Sequence, residues 1–70
     1  MDRQMLKALV DLSHDGNCVN VAAFFNHFPQ NQATLDSLSL LQRLGYIIVT
    51  YADDEVDEIS VNQKAFNYFK

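Results

Sequence analysis

Asn31-Gln-Ala-Thr-Leu-Asp-Ser-Leu-Ser-Leu-Leu-Gln-Arg-Leu-Gly-Tyr-Ile47 is the stretch where the chain changes from one hydrophobic period to another. Its spacing predicts a helix over Gln32 to Leu44. Ala33, Leu35, Leu38, Leu41 and Leu44 fall on one broad side of that helix, the side expected to face a core. Gln32, Asp36, Ser39 and Arg43 fall in one line on the opposite side. Asn31 is a good N-cap and Gly45 a good C-terminal stop. After Gly45 the period shortens to two, and Tyr46 to Ala52 is rich in β-branched and aromatic residues, so it reads as a strand.

Working outward, Met5, Leu6, Leu9, Val10 and Leu12 make the stripe of a first amphipathic helix, with Asp2 as its cap. His14-Asp15-Gly16-Asn17 ends it, and Cys18-Val19 is long enough only for a short extended bridge. Asn20 caps a second helix, Val21 to Phe28, which Pro29 stops by disfavouring helical geometry at the residue before it. Beyond the Tyr46–Ala52 strand, the acidic stretch reads as a turn and Glu58 to Val61 as the returning strand. Asn62 then caps a last helix, Gln63 to Phe69, with Ala65, Phe66 and Phe69 inward.

The order is therefore three helices, a two-stranded hairpin and a short C-terminal helix. Seventy residues leave room for one core, so residues 1–70 are expected to form a single α+β domain. Hydrophobic residues at 49% and only two Gly and one Pro exclude a disordered tail or a flexible linker. The single Cys18 excludes a disulfide scaffold. The longest apolar run, Val21 to Phe25, is too short for a membrane span or a signal peptide, so a soluble cytoplasmic protein is expected.

Read together, Asn31 to Ile47 resembles the recognition helix and following strand of winged helix-turn-helix domains, as in MarR-like and PadR-like regulators. The shared features are the polar start, the leucine ladder and the Gly-aromatic-Ile exit. Ile59-Ser-Val-Asn-Gln-Lys-Ala-Phe66 is similar to that superfamily's second wing strand running into a capped helix. The resemblance implies a small winged helix protein, a transcriptional regulator that reads duplex DNA by placing the third helix in the major groove, as a monomer or a homodimer. Carried over by position, it implies DNA contacts from Gln32, Thr34, Asp36 and Ser37, with Ser39 and Arg43 further along. Gln can pair bidentately with adenine, Ser reads either base type, and Arg holds guanine or phosphate. Asn31 would offer backbone N–H groups to a phosphate.

The net charge of −4 is unevenly spread. Asp53, Asp54, Glu55, Asp57 and Glu58 place five acids in six residues, leaving four acids and five bases elsewhere. A winged helix tip commonly carries Arg or Lys, and affinity for DNA rests largely on such cations. The acidic tip therefore opens a second reading: a protein-interaction module, or inhibitor, docking a basic partner through Asp53, Asp54, Glu55, Asp57 and Glu58. A third is plain gatekeeping beside the uncharged, strand-forming Tyr46 to Tyr51. A calcium loop is excluded, since Glu58 stands where such a loop needs Gly and Lys64 where it needs a bidentate Glu.

His14, Cys18 and His27 are the soft metal ligands of the chain, without the paired spacing of a zinc site. They read as two surface histidines and a small buried cysteine. No cofactor cradle or nucleophile arrangement is evident, and the chain is not expected to be an enzyme.

Overall fold

Asp2, Asn20 and Asn31 each sit just before a helix in extended geometry, and each side chain accepts a backbone N–H from the first turn: Met5 at 2.9 Å, Ala23 at 3.1 Å and Thr34 at 3.0 Å. These three caps open α1 (Arg3–Asp11), α2 (Val21–His27) and α3 (Gln32–Arg43). The computed structural model describes residues 1–70. After α3 come β1 (Ile47–Ala52), β2 (Glu55–Val61) and α4 (Gln63–Tyr68), with a single helical turn at Asp15–Asn17 between α1 and α2. The protein is a small α+β domain of four helices and one antiparallel hairpin.

The helix ends fall within a residue of the sequence expectation. Phe28 is extended (φ −121°, ψ 133°), as the following Pro29 demands, so α2 closes one residue earlier than Phe28. Gly45 turns the chain out of α3 at a φ of 87°, a value open to glycine at no steric cost.

The hairpin departs further. The second strand begins at Glu55, not Glu58, because the turn is only two residues long: Ala52 pairs with Glu55, and Asp53 and Asp54 carry φ of 52° and 64°. Positive φ at both central residues is what tight hairpin turns require to match strand twist. Thr50 then faces Glu58 while Tyr51 faces Val56, which leaves Asp57 as the extra residue of a bulge. Three of the five clustered acids thus lie in a strand. Asn62 is a second departure, since its side chain makes no cap hydrogen bond to α4. Its Nδ2 donates instead to the Gly45 carbonyl at 2.9 Å, tying the end of β2 to the exit from α3.

Both edges of the hairpin are partly closed. On the β2 side, the Val19 N–H donates to the Ile59 carbonyl at 2.8 Å and Cys18 bridges Ser60, so the short Cys18-Val19 segment adds an incipient third strand. On the β1 side, the Val49 N–H points away from β2 and is taken up by the side chain of Gln42 on α3.

Alternation along the strands sends Ile47, Val49, Ile59 and Val61 inward. They meet Met5, Leu6 and Leu9 of α1, Phe24 of α2, Leu38 and Leu41 of α3, and Ala65 of α4 in one apolar core. Phe24 is fully buried at its centre, stacked on Phe28 at 4.9 Å and edge-on to Phe25 at 5.0 Å. Burial of one such ring supplies roughly 2–3 kcal/mol, a large share for a chain of this length. No helix is long and apolar enough to cross a membrane.

Candidate functional site

The orientation of α3 follows from its burial pattern. Thr34, Leu38 and Leu41 are its buried residues, and the opposite line, Gln32, Asp36, Ser39 and Arg43, is exposed along its whole length. Two residues assigned to the core side lie on its flank instead, since Ala33 and Leu44 are exposed. The wheel explains why: both sit about 100° from the middle of the buried arc, where three residues already fill the contact.

Thr34 corrects the expected reading surface. Only 5% exposed, it packs inward at the start of α3, away from the exposed line of Gln32, Asp36, Ser39 and Arg43. Ser37 is half-buried beside it. Asn31 is also committed: its side chain caps Thr34 and its own N–H donates to the Pro29 carbonyl at 3.0 Å. The backbone N–H groups left without a partner at this helix start are those of Gln32 and Ala33.

On the exposed line, the Gln32 amide donates to Asp36 Oδ1 at 2.8 Å, a pairing one helical turn apart. It fixes the Gln32 side chain while leaving its Oε1 and one amide hydrogen available, one acceptor and one donor. The side chain of Arg43, in the last turn, makes no hydrogen bond, ion pair or ring contact within the chain. Lys64 lies by the same helix end but is occupied: its Nζ donates to the Leu44 carbonyl and sits 4.7 Å from the centre of the Tyr46 ring.

The second charged feature is the hairpin. Asp53, Asp54, Glu55, Asp57 and Glu58 are all exposed, and none has a basic group within 4 Å, the one ion pair of the chain being Lys7 with Asp11. Pairing sets Glu58 beside Thr50 and Glu55 beside Ala52 on the outward face, where Ile48 is also half exposed. Tyr51, next to the turn, is 52% exposed.

A third surface lies where the N-terminal and C-terminal helices meet, with Tyr68 exposed on it. α1 packs against α4, and there Arg3 lies over Tyr68 at 5.7 Å and Lys7 over Phe69 at 5.9 Å. Tyr46, Tyr68 and Phe69 form an edge-to-face series, with centroids 5.7 Å and 5.0 Å apart. The four-residue spacing of Arg3 and Lys7 placed them on one helix face, but nothing local indicated which helix would lie opposite.

His14, Cys18 and His27 are all exposed, so Cys18 is not the buried residue expected. No three His, Cys, Asp or Glu side chains are grouped closely enough to hold a metal. A scan against protein-family models finds no match, and searches of curated proteins and of solved structures find none.

Proposed function

We propose that this protein is a small winged helix DNA-binding domain, a transcriptional regulator that presents α3 to the major groove of duplex DNA. The observation that carries the reading is the exposed line Gln32–Asp36–Ser39–Arg43. It is polar throughout, ends in a free guanidinium, and projects from a helix whose other side is locked into the core. In this reading α2, the Pro29 turn and α3 form the helix-turn-helix, and β1–β2 is the wing. Gln32 and Ser39 address base edges and Arg43 a guanine or a phosphate. The open N–H groups of Gln32 and Ala33 suit a phosphate oxygen. The acidic wing must then stand off the duplex, because five carboxylates repel the phosphate backbone.

One observation favours a second reading, that of a protein-interaction module or inhibitor meeting a basic partner. All five hairpin carboxylates are exposed and without a basic neighbour, so their charge is fully available for docking.

Fluorescence anisotropy with a mixed-sequence duplex separates the two. In the DNA reading Arg43→Ala weakens binding about tenfold or more and flattens its salt dependence by about one unit of slope. Exchange of Glu55, Asp57 and Glu58 for Gln, Asn and Gln strengthens it. If neither change moves DNA affinity, α3 is not the contact surface. A basic partner lost on the same neutralisation would establish the docking role.

A further inference from the structure

We propose that the cation–aromatic face of α1 and α4 is a docking site for the acidic hairpin of a second copy of this chain. The face holds Arg3 and Lys7 one turn apart on α1, laid over Tyr68 at the end of α4 and over Phe69 just beyond it, with Lys64 over Tyr46 continuing the same series of rings. Between α1 and Phe69 lies a shallow, open depression lined by Arg3, Gln4, Lys7, Ala8 and Asp11. Two acids share this neighbourhood, and both are engaged: Asp2 caps Met5 N–H, and Asp11 bonds one of the three hydrogens of the Lys7 ammonium. Arg3 and Lys7 both remain exposed.

The complementary surface is on the same chain. The hairpin carries five exposed carboxylates with no base within 4 Å, and Tyr51 beside the turn offers a half-exposed ring. Within one molecule the two surfaces do not meet, because α1 and α4 pack on each other while the hairpin packs on α3 and α2. Pairing of these two surfaces with each other therefore requires a second molecule. The rings already hold the cations in place, which lowers the ordering cost of binding, and aromatic residues with Arg are the groups enriched in protein interfaces. Tyr51 laid against the depression beside Phe69 adds apolar contact to the charge pairing. This inference does not rest on DNA binding, and its test contains no DNA.

Sedimentation equilibrium of the purified protein at about 0.02 M and about 0.5 M salt reads the association, since the charge attraction is screened as the Debye length falls from tens of ångströms to a few. The expected result is a mass above the 8.0 kDa monomer at low salt, reaching and holding at twice that value if the contact is reciprocal. It falls to monomer at high salt. Two variants each remove one half: Arg3→Glu with Lys7→Glu on the face, and Glu55→Lys with Glu58→Lys on the hairpin, the latter sparing the turn residues Asp53 and Asp54. Each alone is expected to be monomeric with a native amide spectrum, which confirms folding. Mixed in equal amounts at low salt they are expected to pair, because the intact hairpin of the face variant meets the intact face of the hairpin variant and the two reversed surfaces are again opposite in charge. The pairing is read as a one-to-one complex absent from either variant alone. A monomer at every concentration, an association that both variants retain, or a mixture that stays monomeric overturns the proposal.

Discussion

Gln42 of α3 accepts the backbone N–H of Val49 in β1 through its side-chain oxygen. That one bond fixes the hairpin against the helix whose outer face is the proposed reading surface, and it closes a strand edge that would otherwise be open to pairing. Gln42→Ala leaves a partly buried donor unsatisfied. The expected cost is about 1–2 kcal/mol in urea unfolding, with faster hydrogen exchange at the Val49 amide. An unchanged midpoint and unchanged exchange would show that water replaces the side chain without loss.

Leu38 and Ser39 are sequence neighbours on opposite sides of α3, the first fully buried and the second exposed. Leu38→Ala is expected to destabilise by about 2–5 kcal/mol, combining lost transfer energy with a cavity. Ser39→Ala is expected to stay within about 0.5 kcal/mol. Equal costs at the two positions would mean that the helix is rotated from the orientation described.

Much of this was legible locally, and the failures have physical reasons. Asp2, Asn20 and Asn31 cap helices because a short polar side chain before an apolar stripe has one favourable use. The exposed line of α3 was equally legible, since four residues at helical spacing cannot be buried together with the leucines opposite. The start of β2 was not. Asp53-Asp54 lacks the glycine that normally marks a two-residue turn, so a run of acids looked like one long loop. The burial of Thr34 was not legible either, because a hydroxyl in the first turn is as suited to solvent as to a core edge, and only the tertiary contact decides. Asn62 follows the same pattern, its amide drawn away from α4 by the Gly45 carbonyl, seventeen residues distant along the chain.

The hairpin turn carries strain that can be relieved. Asp53 and Asp54 both adopt positive φ, where Asn and Gly are favoured. Asp53→Asn with Asp54→Gly is expected to raise stability by about 1 kcal/mol. The same change removes two like charges, so unfolding at low and high salt distinguishes the contributions: the conformational gain persists in salt and the electrostatic gain is screened. A loss of stability would contradict the turn geometry.

Gly45 tests the junction between α3 and β1. At a φ of 87°, an added Cβ would meet only Lys64 at 3.8 Å, an ordinary contact. Gly45→Ala is therefore expected to cost about 1 kcal/mol from backbone strain alone, with no loss of core packing. A much larger loss would mean that the junction is tighter than this geometry allows.

The central claim, that α3 is a DNA-reading surface, is tested most directly by titrating isotope-labelled protein with mixed-sequence duplex and following the amide spectrum at about 50 mM and about 200 mM salt. The account predicts shifts concentrated at Gln32, Ala33, Asp36, Ser39 and Arg43, weakening as salt rises, with the amides of Asp53 to Glu58 little affected. An unchanged spectrum at the lower salt, where non-specific binding is strongest, would contradict it.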